Sequence, residues 1–177
     1  MRSLHDRPDL TTARLHLRQP TMADIDAIVG IVGQREVARR LATVPHPYSR
    51  QDALFFLEQI FPQHWGWAIT LTGNPELIGV VGLTPGQGKI LLGYWLSPAH
   101  WGKGIATDAA HAVVAFGFQE LGLASMGSAY HEDNPASGRV LHKLGFTEVK
   151  RGLRPCLAEG RNVVSVEMHL SAADFIN

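Results

Sequence analysis

The chain has 177 residues, and its sixteen basic and sixteen acidic residues cancel at pH 7. This length suits one domain with a sizeable core, and the balanced charge gives no general attraction to nucleic acid or to anionic membranes. The single cysteine, Cys156, excludes an internal disulfide, and the scattered histidines lack metal-ligand spacing, so no metal is expected.

No targeting or membrane-spanning segment is predicted. Residues 1–12 carry four charged side chains and lack the apolar core of a signal peptide. The longest apolar stretch, residues 109–118, is interrupted by His111 and is far shorter than the ~20 residues that cross a bilayer. We therefore expect a soluble cytoplasmic protein.

The first third of the chain is mainly helical in pattern. Residues 13–18 alternate between apolar and polar, which predicts a half-buried strand. Apolar residues at helical spacing then predict a helix that begins at Pro20-Thr21. After a loop, Ser49 is suited to cap a second helix that runs from Arg50 to about Phe61.

The middle and the end of the chain alternate between strands and helices. Runs at 65–71, 77–83 and 90–96 are joined by turn sequences of hairpin length, which predicts an antiparallel meander. Helices are expected at 104–121 and 135–144, and strands at 124–129, 147–154 and 163–170. This order predicts an α/β (α+β) fold. Its core is one mixed, mostly antiparallel sheet of about six to seven strands, flanked by about four helices.

The loop at residues 101–107 has the features of a phosphate site. Gly102 and Gly104 lie at a strand-to-helix turn, where free N–H groups and the positive end of a helix dipole meet. A Walker A loop is excluded because Lys103 precedes Gly104. A dinucleotide fingerprint is excluded because Thr107 stands where a third glycine belongs. The remaining candidate is an acyl-coenzyme A pyrophosphate loop.

A second group of motifs supports this interpretation. Residues 134–137 (Asn-Pro-Ala-Ser) and 143–146 (Lys-Leu-Gly-Phe) follow in order after the earlier motifs at 15–18, 93–96 and 101–107. With these motifs the chain resembles the GNAT superfamily of acetyl-CoA-dependent N-acetyltransferases over residues 12–170. It is most similar to the RimJ/RimL-like branch, which acetylates the N-termini of ribosomal proteins. The resemblance implies the acyl-CoA N-acyltransferase fold as a single domain over residues 1–177.

The resemblance also implies a set of residues that hold the acyl donor. Backbone groups of Leu96 and Ser97 would pair with the pantetheine arm, Asn134 would contact that arm, and Arg139 or Lys143 would reach the 3′-phosphate. Ser137 would lie near the thioester sulfur, although a purely structural serine is equally consistent with its helical position. The pyrophosphate would be held by the loop residues Trp101, Gly102, Lys103, Gly104, Ile105, Ala106 and Thr107.

Other residues around the expected site have simpler interpretations. Strand alternation places at most one of Tyr94 and Trp95 in the site, and Asn134-Pro135 is also an ordinary helix start. The histidines of most interest are His46, His100 and His131. We expect the acceptor to be selected by residues 42–49, 65–67 and 154–162.

The expected reaction is direct attack of a primary amine on the acetyl thioester in a ternary complex. Many relatives carry a glutamate base where this chain has Leu91, so Glu132 and His131 become the candidate bases. At pH 7, deprotonating an α-amine costs roughly 1 kcal/mol and deprotonating a lysine nearly 5, at ~1.4 kcal/mol per pK unit. The expected acceptor is therefore a protein or peptide α-amino group, or a small amine of similarly low pKa.

Two alternatives of other classes remain open at this point. The loss of the glutamate also suits a catalytically silent acyl-CoA-binding or sensing domain, and a structural interaction module would need the loop only as a turn. Neither nucleic acid nor a membrane is an expected partner, and the protein is expected to be a monomer or a homodimer.

Overall fold

The computed structural model describes residues 7–86 and 88–175. In these residues five α-helices accompany eight strands. The helices are α1 (Ile25–Val32), α2 (Arg35–Ala38), α3 (Arg50–Phe55), α4 (Ile105–Gln119) and α5 (Pro135–Lys143). The strands are β1 (Leu10–Thr11), β2 (Leu15–Arg18), β3 (Trp65–Leu71), β4 (Asn74–Pro85), β5 (Ile90–Leu96), β6 (Ser125–His131), β7 (Thr147–Cys156) and β8 (Arg161–Ser171).

The strands form one sheet in the order β1-β2-β3-β4-β5-β6-β8-β7. Every junction is antiparallel except the one between β5 and β6. The predicted fold class is confirmed, with one strand and one helix more than expected. The additions are β1, with two residues, and α2, with a single turn, and both are too short to produce a hydrophobic period.

Helices cover both faces of the sheet. On one face α4 and α5 enclose a core that includes Val113, Leu141 and Phe146. On the other face α1, α2 and α3 pack over β3 and β4 through a second core, which includes Ile28 and Leu57. A site in the middle of the sheet is therefore approached from between helices on either face.

The helix predicted at 50–61 is not regular to its end. The α-helical part ends at Phe55, a π-helical turn follows at Phe56–Ile60, and a 3₁₀ turn follows at Phe61–Gln63. Pro62 has no N–H to donate to a helical carbonyl, so the regular pattern cannot extend through it. Ser49 caps the start as predicted, since its Oγ accepts a hydrogen bond from the Asp52 N–H. No described helix is long and apolar enough to cross a membrane.

The sheet is weakly joined at its centre. The parallel junction of β5 with β6 has a single registered pair, Leu91 with Gly127. One residue later the Ser128 hydroxyl donates to the Leu92 carbonyl over 2.9 Å, and beyond that point the strands diverge. The divergence opens a gap between the C-terminal ends of two central strands.

A buried ion pair fixes the start of α1. Arg18 donates from Nη1 and Nη2 to the two carboxylate oxygens of Asp24 over 2.9 and 2.8 Å, and the Thr21 N–H donates to the same carboxylate. Burial raises the pKa of Asp24, but the hydrogen bonds from Arg18 and Thr21 outweigh it and hold the pKa below 3.8. The folded protein therefore favours the ionised carboxylate.

We expect Asp24→Asn to lower the free energy of unfolding at pH 7 by about 2–3 kcal/mol, because it leaves a half-buried guanidinium without its charge partner. Urea denaturation measures this. The control is Asp26→Asn, whose exposed pair with Arg50 should be worth less than about 0.5 kcal/mol. Because the pKa of Asp24 in the folded protein lies below 3.8, the stabilisation by its ion pair is complete above pH 3.8. It is lost as the pH falls through the folded pKa. An equal loss in both variants would contradict the assignment.

Candidate active site

A cleft of ≈ 580 Å³ occupies the gap between β5 and β6. Its walls come from both strands, from the starts of α4 and α5 on one face, and from residues 37–42 on the opposite face. The cleft therefore passes through the sheet. Two substrates entering from opposite faces could meet inside it.

The backbone of β5 presents hydrogen-bonding groups to this gap. The Ser97 N–H donates to the Ile78 carbonyl over 2.8 Å, while Leu96 is registered with Gly79. This pattern makes Leu96 and Gly79 a non-hydrogen-bonded pair, so the backbone groups of Leu96 and of Tyr94 face away from β4. They face the gap, where the amides of an extended arm could pair with them as an added strand.

The loop before α4 is shaped for an anion. Gly102 and Gly104 have φ values of 73° and 75°, in the left-handed region that favours glycine. Asp108 is the first residue whose N–H returns to the helix, donating to the Gly104 carbonyl. The preceding N–H groups, at Ile105, Ala106 and Thr107, have no acceptor within the helix and lie at its positive end. This is the geometry of a phosphate site.

The loop is supported from behind by Arg14. Its Nη1 donates to the Lys103 carbonyl over 2.9 Å and its Nε to the Asp108 carboxylate over 3.0 Å. The Lys103 ammonium donates to the Ala99 carbonyl, and Lys103 does not line the cleft. Sequence reasoning missed Arg14, whose role depends on a contact across 89 residues of chain.

Trp101 ties the loop to the end of β5. Its Nε1 donates to the Leu96 carbonyl over 2.8 Å, and the Arg40 guanidinium lies 4.6 Å above its ring. The Leu96 carbonyl therefore already has one partner. Ser97, predicted to pair with the pantetheine arm, does not line the cleft and uses its N–H within the sheet. The gap-facing groups are those of Tyr94 and Leu96 instead.

A hydroxyl pair bridges the gap from β5 to α5. The Tyr94 hydroxyl lies 2.9 Å from Ser137 Oγ and donates to the Ser137 carbonyl at 3.2 Å. Burial raises the pKa of Tyr94 to about 12, although the Ser137 hydrogen bond acts in the opposite direction. Tyr94 and Trp95 both line the cleft, so the expectation that only one does is wrong. A cleft that passes through a sheet exposes both faces of a strand.

The start of α5 differs from an ordinary helix cap. Asn134 is the N-cap residue and Pro135 follows at the first helical position, but the Asn134 side chain makes no capping bond. Its Oδ1 accepts from Arg40 Nη1 over 2.9 Å instead. Asn134 is therefore held by a side chain from the opposite face of the sheet.

The two candidate bases have opposite surroundings. His131 is buried and lines the cleft, with Nδ1 3.0 Å from the Arg39 carbonyl. A carbonyl only accepts, so Nδ1 carries the proton and the neutral ring keeps its lone pair on Nε2. Glu132 is exposed, pairs with Arg151 and lies outside the cleft lining. Glu132 lies in the turn that follows β6, and its position and ion pair favour His131 over Glu132 as the candidate base.

Cationic side chains line the cleft. Arg139 and Lys143 lie one turn apart on the exposed side of α5, and Arg40 lies on the opposite face of the sheet. No aspartate or glutamate is found among the described residues that line the cleft. The charge therefore favours a polyanionic ligand.

One of the three segments that were expected to select the acceptor, residues 65–67, lies in the core instead. Trp67 is fully buried, and Trp65 and Trp67 lie against the Phe116 ring at centroid distances of 5.4 and 5.2 Å. Residues 65–67 therefore belong to the core. Ala42 does line the cleft, and its carbonyl accepts from the Leu157 N–H in the β7–β8 turn.

Comparisons with known proteins agree with this geometry. The family model described as "Acetyltransferase (GNAT) domain" matches residues 14–147. The chain belongs to the GNAT acetyltransferase family. It is accordingly an N-acetyltransferase that uses acetyl-CoA, and the backbone edge of β5 and the loop before α4 fit the arm and the pyrophosphate of that donor.

Individual relatives of this acetyltransferase are moderately to distantly similar. The uncharacterized N-acetyltransferase YoaA of Bacillus subtilis (strain 168) is 34% identical over 147 residues, which are 78% of this chain and 82% of that protein. Mycobacterium smegmatis RimJ in complex with CoA-disulfide superposes with a TM-score of 0.82 at 18% identity, covering 97% and 91% of the two chains. Vibrio cholerae spermidine N-acetyltransferase in complex with CoA and spermine superposes with a TM-score of 0.78 at 19% identity, covering 94% of this chain and 100% of that chain.

Leu91 has a packing role in this acetyltransferase. Its methyl carbons lie 2.8 and 2.9 Å from the positions that a Cβ would take on Gly86 and Gly127, so a larger residue at either position would force the Leu91 side chain to move. Leu91 does not line the cleft. The residue at the expected glutamate position therefore fills the junction of β5 with β6 and cannot accept a proton.

Proposed function

We propose that this enzyme transfers an acetyl group directly to a primary amine of low pKa, and that the amine is a peptide α-amino group or a small amine of similar basicity. The observation that carries the proposal is the through-sheet cleft without a carboxylate among its described lining residues. Such a cleft binds an anionic donor and offers an incoming amine only a weak base. The resemblance to the RimJ/RimL-like branch supports the α-amino alternative.

On the donor side, the chain binds and orients acetyl-CoA. The N–H groups of residues 104–107 would hold the pyrophosphate, and Arg139 or Lys143 would reach the 3′-phosphate. The gap-facing backbone of Tyr94 and Leu96 would pair with the pantetheine amides. An N–H of this strand would also stabilise the negative charge that develops on the thioester oxygen.

On the acceptor side, the chain removes one proton. An imidazole is a weak base, which suits an α-amine near pKa 7.7–8.0 far better than a lysine near 10.4. His131 would accept this proton at Nε2, directly or through one water, while the Arg39 carbonyl holds Nδ1. Proximity of amine and thioester in the cleft supplies much of the remaining rate enhancement.

The leaving thiolate needs little help, because a thiol pKa near ~8.5 makes it a fair leaving group. Tyr94, with a pKa of about 12, stays protonated at neutral pH and keeps its hydrogen bond with Ser137. The Ser137 hydroxyl would then lie near the sulfur as a modest hydrogen-bond donor.

The proposal is tested by acetylating a peptide library with acetyl-CoA and reading products by mass spectrometry and free thiol. Peptides with a free N-terminus are expected to be acetylated there, while N-terminally blocked peptides with internal lysines react at least tenfold more slowly. Spermidine is included because its multiple positive charges find no described carboxylate in the cleft. Preferential acetylation of lysines or spermidine would contradict the proposal, and CoA binding without turnover would favour the silent sensing domain.

The choice of base is tested by His131→Asn, because an asparagine amide can still donate to the Arg39 carbonyl but has no equivalent of Nε2. We expect kcat to fall about 100-fold while CoA affinity stays within threefold, since a general base typically contributes 10²- to 10⁴-fold. Glu132→Gln should leave kcat within twofold. A larger loss in Glu132→Gln than in His131→Asn would reverse the assignment.

A further inference from the structure

Two neighbouring arginines that follow α2 have different kinds of partner. Arg39 forms ion pairs with Asp133 and Glu159 on the surface. Arg40 instead lines the cleft and is half-buried there. The chain thus places one cation inside the cleft from the face opposite α4 and α5.

The contacts of Arg40 leave its charge uncompensated. Its guanidinium lies 4.6 Å above the Trp101 ring, and its Nη1 donates to the neutral Asn134 amide. Its Nε is shielded from solvent and has no hydrogen-bond partner in the described part of the chain. A buried donor without an acceptor is costly, more so when it is charged. A ligand carboxylate beside the guanidinium would compensate the charge.

The orientation of the guanidinium suits a carboxylate. The guanidinium lies over the Trp101 ring and the bond to Asn134 occupies Nη1, so Nη2 remains for a carboxylate in the cleft.

The donor phosphates do not account for this arrangement, because their site is formed by the loop amides with Arg139 and Lys143 on the α4–α5 face. Arg40 comes from the opposite face, the acceptor side. We propose that Arg40 binds a carboxylate of the amine acceptor. The acceptors would then be peptides that begin with an acidic residue, whose α-amine keeps the low pKa that the proposed function requires. This inference rests on the proposed function.

The first test compares two matched peptide amides, one that begins with Asp and one that begins with Asn, which differ chiefly in the carboxylate. In Arg40→Gln, kcat/KM for the Asp peptide should fall at least tenfold relative to kcat/KM for the Asn peptide, while the KM for acetyl-CoA changes less than twofold. Comparing each acceptor between wild type and variant cancels the different amine pKa values. The control Arg35→Gln removes an equal charge from the exposed side of the same helix.

An equal fall for charged and neutral acceptors, or a raised KM for acetyl-CoA, would overturn the proposal. Either result would place Arg40 in donor binding or in general packing.

The second test needs no turnover. Protein saturated with CoA is titrated calorimetrically with the acetylated forms of the Asp and Asn peptide amides. The Asp product should bind ten times more tightly than the Asn product to wild type, and the two should bind equally to Arg40→Gln. Equal binding of the two products to wild type refutes the role of Arg40. If no amine is acetylated, the proposed function fails, yet this titration still decides what Arg40 binds.

Discussion

Gly104→Asp is expected to raise the KM for acetyl-CoA at least 100-fold relative to Gly104→Asn. Gly104 has a left-handed backbone at the start of α4, and a Cβ there would meet only an Arg14 nitrogen at 3.4 Å. Asn and Asp are the residues other than glycine that best tolerate this conformation, and they are almost identical in size. The two variants therefore share the backbone cost. They differ in the negative charge placed where the pyrophosphate is expected.

The measurement combines KM for acetyl-CoA with CoA titration, and thermal melts without ligand verify that both variants are folded. A 100-fold difference corresponds to about 2.7 kcal/mol of lost binding. Gly73→Asn supplies the control, because Gly73 is also left-handed with open space around it but lies at the β3–β4 turn. Equal KM values for the Asp and Asn variants would show that the loop holds no phosphate.

Gly93→Val is expected to lower the rate of turnover at least 100-fold, while the affinity for CoA falls no more than threefold. Gly93 lines the cleft on β5, and a Cβ added there meets no atom within 4 Å. Trp95, two residues along the same strand, packs with the α1–α3 core. Alternation therefore places the new side chain on that same face, where the acceptor enters. The valine would fill the space through which the amine reaches the thioester.

This variant should fold at least as well as wild type, because glycine weakens strand interiors and Gly93 has no left-handed φ to preserve. Gly152→Val is the matched control: Gly152 is an exposed strand glycine on β7 with open space around it, outside the cleft. The readouts are CoA affinity, thermal stability and thiol release. Loss of CoA affinity in parallel with turnover would show that both substrates share one entrance.

Much of the fold was predictable because its signals are local. The three meander strands are separated by turn residues, and β3 and β5 begin and end at the predicted positions. Helix α5 lies between Pro135 and the left-handed Gly145, the two residues that mark its ends in the sequence. Elements shorter than one hydrophobic period, such as β1 and α2, gave no such signal.

The site was predictable only where its chemistry lies in one segment. The left-handed glycines of the loop were identified from spacing alone, whereas Arg14 and Arg40 act across about 90 residues of chain. Glu132 lies in the turn after β6, where its exposed side chain pairs with Arg151, a contact across 19 residues that the sequence pattern does not show. The tryptophans of β3 were wrongly predicted to select the acceptor, because an aromatic pair has the same sequence pattern in a core as beside a binding site.

The single registered pair between β5 and β6 gives the sheet something that most sheets have only at their perimeter: an inner pair of strand edges. Unpaired edges at the outside of a sheet invite another polypeptide and hence aggregation. Here the helices on both faces leave room only for a slender chain of linked amides, which completes the ladder for as long as it is bound. The donor would thus act as a temporary ninth strand. The free energy of unfolding would rise when the donor binds and fall when it leaves, once in every catalytic cycle.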